Sequence, residues 1–539
     1  IIYFNTAEKC VLSNLNKISE DPYRVGFMRN KSSLFSEKIE IFLRDIHGNN
    51  QEIVNKDIFA AIELAKSISL LDSLSFSKTK INERTLRIKQ NGLFDITKRI
   101  SSIISESYAP IVSLVEKERL NLSLIKAKGQ YINSLSINKP KEKDNNYKYI
   151  FREIATIENI QQEVLDRETG LLEYFLYDKA SILFYLTHKK AEIYLLPGKK
   201  YIEDSIRLLI NFYKDPKREA KKTNAARRRI FKEICIPLDN LGSNKEIRKI
   251  IIVPDGLLNY LPFEILNDEQ ENANSFLIDR YQVSYAPSSS VLLFLRREAD
   301  IAKKMRGFLG VGTPRGIIGN IGLPRKLIEN NRNKKGKLIN NIELDNPPPL
   351  VLTKKEIMRI AKLFDKEDRY VYLDTEANEE LIKNISKKEY QVVHFACHGI
   401  IDDDTPIRSA LLLSKQSEIE DGYFQIREIY DLSIRANLVV LSACRSASGI
   451  IGNYEGIMGL PRVFFYSGAQ SVLSTLWKIE DKPTSLLMKK FYYFLSKGVS
   501  KAQALRLAKQ EMRLTRYRNP YYWAGFILSG DCESAICFH

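Results

Sequence analysis

The sequence predicts an α/β fold on a mostly parallel sheet, preceded by an all-α helical-repeat region. Two observations carry this prediction. Along residues 1–135, apolar residues recur at three- to four-residue spacing, the period of an amphipathic helix. Beyond residue 170, short β-rich runs alternate with helical stretches, as in strands joined by crossover helices. At roughly 100–200 residues per domain, 539 residues are too many for one compact domain.

The helical region comes first. Phe59, Ile62, Leu64, Ala65, Ile68, Leu71 and Leu74 form one apolar stripe, and residues 34–45 and 110–135 do the same. Gly and Pro are scarce between these stretches, so helix pairs stacked as an α-solenoid are expected over 1–135. Residues 137–148 are polar, charged and contain Pro140. This places a linker and connecting helix at 136–170. The expected strands then follow as ILFYLT (182–187), EIYLL (192–196), KIIIV (249–253), GFLGV (307–311), YVYL (370–373), YQVVHFA (390–396) and NLVVLSA (437–443). Helical segments such as 354–364 and 376–387 lie between them. Residues 171–539 are long enough for two α/β lobes. Residues 313–350, with their Asn/Lys-rich tract and Pro347-Pro348-Pro349, read as a long surface loop.

Composition excludes several classes. With 44% hydrophobic residues the chain is not largely disordered, and six cysteines in this length do not make a disulfide scaffold. No stretch approaches the run of about 18 apolar residues that spans a bilayer. The start is not a signal peptide, and it is not Met, so the chain is read as beginning inside a larger protein. The expected compartment is the cytoplasm, with reduced thiols. The net charge of +17 suits a nucleic acid, an acidic partner or a membrane surface, and equally a solvated Lys- and Asn-rich surface.

Two strand ends carry the chemistry. YQVVHFA runs into Cys397-His398-Gly399, and NLVVLSA runs into Cys444-Arg445-Ser446. In a parallel sheet, reactive groups gather beyond the carboxyl ends of strands. If the two strands are neighbours, His398 and Cys444 share one rim. A thiol beside an imidazole is the minimal activated nucleophile. Gly399 lets substrate approach the backbone, and its N–H and that of Cys444 are candidate oxyanion donors. The 46-residue separation is close to the spacing of about 50 found in caspase-type enzymes, and Ser442-Ala443-Cys444-Arg445 approaches their Q-A-C-R pattern. Taken singly, a strand-end Cys or His is most often structural. It is the matched pair beside Gly399 that argues for chemistry. His394 is expected to be structural. A metal site from His394, Cys397, His398 and Cys444 has no CxxC or HxxxH pair behind it.

Many stretches together resemble the CHAT family, caspase-related peptidase modules often found behind tetratricopeptide (TPR) repeats. They include 171–196, VPDGLLNYLPFEIL (253–266), VSYAPSSSVL (283–292), DTEANEELI (374–382), VVHFACHG (392–399), VVLSACRSASG (439–449), 453–481 and YYWAGFILSGD (521–531). Residues 58–74 resemble a terminal TPR helix. The resemblance implies a pseudo-caspase lobe at 171–300, an active caspase-like lobe at 301–539, and a catalytic dyad of His398 and Cys444. It implies no metal or organic cofactor.

Further candidates are weaker. Ser442, Arg445, Glu455, Trp477 and Asp481 are placed at a substrate groove. Glu455-Gly456 is expected to open a helix through Phe465, where a carboxylate would suit the helix dipole. A core role for Trp477 stays equally open. Metacaspase-like relatives that cleave after Lys or Arg tend to carry Asp two residues before the Cys. Ser442 stands there, which predicts a small or apolar residue before the scissile bond. Gly310-Val311-Gly312 and Gly316 lack G-x-G-x-x-G spacing. Basic runs at 214–232 and 325–337 have no interleaved aromatics for base stacking.

These readings converge on a regulated cysteine endopeptidase of protein substrates, controlled by a partner acting through the helical repeats. The architecture resembles the TPR-CHAT subunit of a CRISPR type III-E RNA-guided effector, which implies antiviral defence and a ribonucleoprotein partner. CHAT proteins of other defence or cell-death systems fit comparably. The alternatives are a catalytically silent caspase-fold scaffold and a basic surface that binds a ribonucleoprotein or contacts RNA directly.

Overall fold

The structure, a computed structural model, describes residues 55–66, 70, 154–213, 220–240, 246–267, 275–313, 350–385, 388–401, 409–416, 420–430, 432–443, 446, 449–452 and 456–538. Most of the helical-repeat region, the linker at 137–148, the loop at 314–349 and the basic run at 325–337 lie outside the described residues.

The strands in chain order are β1 (Thr169–Phe175), β2 (Ser181–Leu186), β3 (Ala191–Leu196), β4 (Lys249–Val253), β5 (Gln282–Tyr285), β6 (Phe308–Gly312), β7 (Arg369–Leu373), β8 (Glu389–Ala396), β9 (Gly399–Ile400), β10 (Ala410–Leu412), β11 (Tyr423–Gln425), β12 (Arg435–Leu441), β13 (Gly449–Gly452), β14 (Gly456–Gly459), β15 (Ser471–Thr475) and β16 (Phe526–Gly530). Eleven of them form one sheet, ordered β3-β2-β1-β4-β5-β16-β15-β12-β8-β6-β7. Pairing is antiparallel at β1–β2, β2–β3 and β15–β16 and parallel at every other neighbour. The expected α/β fold with a mostly parallel sheet is what forms.

The central strands read as near-continuous apolar runs because both faces are covered. From Tyr390 to Ala396 and from Ala436 to Leu441 every residue is buried. Alternation along them feeds two cores. Val392, Ala396, Leu438 and Val440 face one, and Val393, Phe395, Val439 and Leu441 face the other. Helix Thr353–Ala361 lies on β6 so closely that a Cβ on Gly310 or Gly312 would meet Ile357 at 2.6 and 2.5 Å. Those glycines serve packing, which accounts for the superficial nucleotide-binding pattern.

The halves 154–313 and 350–538 share this sheet and one apolar core. They meet at β16, which pairs with β5 on one side and β15 on the other. A buried polar knot crosses the joint. Lys509 Nζ lies 2.5 Å from Glu264 Oε1, and the Tyr285 hydroxyl donates to Glu264 Oε2 at 2.5 Å.

Residues 55–66 are helical, as the apolar stripe predicts, and Ile58, Phe59 and Ile62 pack with Leu171, Phe184 and Leu292. Two buried polar side chains fix this helix. Glu63 accepts the backbone N–H groups of Ser289 and Ser290, at 3.0 and 2.5 Å. Lys66 donates to Glu173 Oε1 at 3.2 Å and to the Tyr174 carbonyl at 3.0 Å. Burial and the neighbouring Glu173 hold the Glu63 carboxyl well above the usual range.

One expected element is corrected. The chain after position 455 is not yet helical: Gly456–Gly459 is β14, in antiparallel register with β13, and the helix is Leu460–Tyr466. The hairpin pairs Gly449 with Gly459 and Gly452 with Gly456, and glycine is a poor helix former. Among the described residues no helix is long and apolar enough to cross a membrane.

Candidate active site

β8 and β12 are parallel neighbours, with His394 opposite Val440 and Phe395 opposite Leu441. The ladder runs one residue further, where the Ser442 N–H donates to the Phe395 carbonyl at 2.8 Å. Residues 397–399 and 442–443 therefore leave one sheet edge side by side. Such an edge is where an α/β sheet presents its chemistry. His398 is half-buried between β8 and β9, and its carbonyl accepts the Leu412 N–H at 2.8 Å. Gly399 pairs with Leu411 in a small β11-β10-β9 sheet. Cys444, Arg445 and Glu455 lie outside the described residues.

The segments flanking position 444 are held from three sides. The Ser442 hydroxyl donates to Glu356 Oε1 at 3.0 Å. Thr475 Oγ1, on β15, donates to the Ala443 carbonyl at 2.7 Å. The Ser446 hydroxyl donates to the Leu441 carbonyl at 3.2 Å and accepts the Thr475 N–H at 2.9 Å. These four contacts fix Ser442, Ala443 and Ser446 to helix Thr353–Ala361, β12 and β15.

Glu356 is the residue that sequence reading missed. It sits on helix Thr353–Ala361, is 4% exposed, and accepts from both Ser442 and His394 Nε2, the latter at 3.0 Å. His394 Nδ1 meets the Tyr492 hydroxyl at 3.0 Å, and His394 is fully buried. Tyr492, His394, Glu356 and Ser442 form one continuous polar chain, in which Glu356 Oε1 accepts from both Nε2 and the Ser442 hydroxyl. His394 is thus structural, as expected. A signal for Glu356 did exist. It lies three residues after Thr353 and four before Ile360, on the helix's buried stripe.

Beside these strand ends is a small open depression. Ala396, Cys397, Ser442 and Ala443 form its floor toward the sheet. Glu356 and Asp481 lie in its walls, with Leu350, Thr475, Ile479 and Thr484. Asp481 opens helix Asp481–Leu495, and its Oδ2 accepts the Leu352 N–H at 3.0 Å. Burial, together with the charge of Glu356, raises its carboxyl above the ordinary value. Ser442 and Asp481 both line the depression. Trp477 does not. It is 4% exposed, donates its indole N–H to the Tyr521 carbonyl at 2.8 Å, and packs its ring over Gly525. The expectation of a groove position for Trp477 is corrected to a core one, because a buried indole fills apolar volume once its N–H has a partner.

A family model described as the CHAT domain matches residues 224–531, more than half of the chain. The chain belongs to the CHAT-domain family. It is similar to tetratricopeptide repeat protein 28 of Mus musculus, 22% identical over 343 residues, covering 59% of this chain and 14% of the relative. The Homo sapiens protein of that name is likewise 22% identical, over 362 residues, with 59% and 13% covered. This CHAT protein therefore spans about one-seventh of those relatives' length. Among solved structures it is similar to a Saccharomyces cerevisiae separase–securin complex, at 10% identity and TM-score 0.47, over 95% of this chain and 37% of that one. It is also similar to the Arg-specific cysteine proteinase gingipain R, at 9% identity and TM-score 0.38, with 63% of this chain and 77% of that one covered.

Other polar features of the CHAT protein have internal partners. Arg227, from the basic run, is buried and lies over the Phe276 ring at 4.5 Å, and Arg229 pairs with Glu233 at 2.9 Å. Part of that run therefore serves the fold. Cys235, Cys397 and Cys532 are buried, and burial pushes the Cys532 thiol far above its usual range, which makes it inert. Glu379, Glu420 and Glu428 converge, but Lys383 joins all three, at 3.4, 2.6 and 2.9 Å.

Proposed function

We propose that this CHAT protein is a cysteine endopeptidase in which His398 is the general base and Cys444 the nucleophile. One observation carries the proposal. The strands ending in these residues are adjacent and parallel, with residues 395 and 441 in register. In the proposed reaction, His398 takes the Cys444 proton and the thiolate attacks the peptide carbonyl. The N–H groups of Gly399 and Cys444 hold the oxyanion. The imidazolium returns its proton to the leaving amine as the C–N bond breaks. Water, deprotonated by His398, then hydrolyses the thioester and regenerates the thiol.

Regulation is part of the proposal. Helix 55–66 is locked into the α/β unit by Glu63 and Lys66, which gives a partner bound to the helical region a rigid lever on the unit. The proposed setting is antiviral defence, with a protein or ribonucleoprotein partner, as the resemblance to CRISPR-associated CHAT proteins suggests.

The test is incubation with candidate protein substrates, with and without a candidate activator, read on a gel. Wild type is expected to yield fragments, with Cys444→Ala and His398→Ala at least about 10³-fold slower. Fragments that persist in Cys444→Ala would refute the dyad. A phenotype unchanged by Cys444→Ala would assign the protein to the scaffold alternative.

A further inference from the structure

We propose that the solvent face of two neighbouring helices, Thr353–Ala361 and Asp481–Leu495, docks an acidic amphipathic helix of a partner protein. The two helices start together, where Asp481 Oδ2 accepts the Leu352 N–H. Both pack on one core, through Ile357 and Ile360 and through Leu487 and Phe491, so their opposite sides face solvent together. Along the first helix and its flanks, Val351, Lys355, Met358 and Lys362 recur at three- to four-residue spacing, and all are exposed. Along the second, Lys482, Leu486, Lys489, Tyr493 and Lys497 do the same, with only Leu486 half-buried. Lys354 and Arg359 flank the first stripe. Between 353 and 364, and between 482 and 497, the only carboxylate is the buried Glu356. Glu511, from the adjacent helix, is spent on Lys490. Among the described residues, the seven other cations of this face pair with no carboxylate. Elsewhere surface lysines do pair, as Lys249 with Asp166 and Lys303 with Asp300.

The apolar side chains set the class of partner. Val351, Met358 and Tyr493 are three of the eight large apolar side chains exposed among the described residues, at 68%, 44% and 54%. Exposed apolar groups rimmed by charge mark protein contacts. A phosphate backbone would match the lysines and leave these residues unmet. Tyr493 is no platform for a base, because Lys497 Nζ already lies 5.1 Å from its ring centroid. A bilayer takes up a face that is apolar throughout, whereas each stripe here alternates apolar with basic. The complement of such a stripe is a helix that alternates Glu or Asp with Leu or Met at the same spacing. Part of the net charge of +17 thus gains a location and an acidic protein partner. The docked helix lies on the outer side of the helix whose inner side holds Ser442 through Glu356. The face would serve this way whether or not the chain cleaves peptides.

The test is binding of labelled probes to the full chain carrying Cys444→Ala, which keeps peptides intact, read by fluorescence anisotropy. The first probe is a synthetic helical peptide of about 18 residues, enough to span the longer stripe, with Glu and Leu alternating on one face and Ala and Gln elsewhere. The second replaces its Leu with Ser. The third and fourth are a single-stranded oligouridylate and phosphatidylserine vesicles. The Glu/Leu peptide is expected to bind tightest, and the Glu/Ser peptide about 10-fold more weakly. Adding Lys355→Glu with Lys489→Glu should weaken the Glu/Leu peptide about 10- to 100-fold, and Met358→Ser with Tyr493→Ser about 10-fold. All four substitutions are at exposed positions, and unchanged urea midpoints would show that the fold is kept. No binding of the Glu/Leu peptide, or binding that neither variant pair weakens, overturns the proposal. So does tighter binding of the oligouridylate or the vesicles, if charge reversal abolishes it, because the face then belongs to a nucleic acid or a membrane.

Discussion

Glu356 illustrates how one side chain ties local packing to the site. Its carboxylate is the shared acceptor for a buried imidazole and for the hydroxyl of Ser442, two residues before the proposed nucleophile. Glu356→Ala would leave the His394 Nε2–H buried without an acceptor, and unsatisfied buried donors cost about 1–3 kcal/mol each. With Ser442 also released, we expect a loss of about 2–4 kcal/mol. Ser442→Ala removes one donor and leaves the imidazole bonded, so it should cost about 1 kcal/mol. Urea midpoints at unchanged m-value would show the difference. Equal midpoints for the two variants would mean that the shared acceptor contributes nothing beyond the Ser442 bond.

At the scale of elements, the small β11-β10-β9 sheet is what continues the chain past His398. Lys383, on helix Glu379–Ile385, pins both sides of its outer strand by pairing with Glu420 and Glu428. Glu379, on the same helix, accepts the Gly422 N–H at 2.6 Å. Burial and the charge of Glu428 push the Glu379 carboxyl up to about 9, against an ordinary 4.5. The folded state therefore holds a proton that the unfolded state releases near its ordinary value. The sign follows: this part of the stability is full below the ordinary value and is lost as pH rises through about 9. Glu379→Gln should flatten the decline in melting temperature across that window, and an unchanged slope would rule out Glu379 as its source. Such long-range pairings also mark the limit of what sequence shows. KIIIV and YQVVHFA declare themselves as strands because burial on both faces demands unbroken apolar runs. β5 (QVSY) and β16 (FILSG) are short and partly polar, and they are strands because distant neighbours complete their ladders. The segment after Glu455 has helical composition, but its glycines close a hairpin first. His398 and Cys444 stand out in the sequence as candidates because strand ends are local features. Glu356 and Asp481 were harder because their meeting depends on how two helices cross the sheet.

For the whole molecule, the central fact is that two halves with separate roles in the resemblance form one sheet with one shared core. β16, from the end of the chain, is inserted between β5 and β15, so neither half completes its sheet without it. The Lys509–Glu264–Tyr285 knot lies at that joint and is fully buried, with side-chain exposures of 1% and 3% for the ion pair. Removing one partner of a buried pair is far more damaging than removing both, because a lone charge stays in the interior, at about 3–5 kcal/mol. We therefore expect Lys509→Met to destabilise the entire unit by about that amount, and the double variant Lys509→Met with Glu264→Gln to recover much of it. The loss should not be confined to one half. Both tryptophans, Trp477 and Trp523, lie in the shared core, and their fluorescence reports the half that holds the proposed dyad. Hydrogen exchange at β1 and β4 reports the other half. In a cooperative unit, wild type and both variants lose these signals at one denaturant concentration, displaced together by the substitutions. Should β1 and β4 in Lys509→Met keep their protection after the tryptophan signal has gone, the joint is a contact between independent lobes. The knot would then hold only the C-terminal half, and a lever at helix 55–66 would have no path through the sheet to the site.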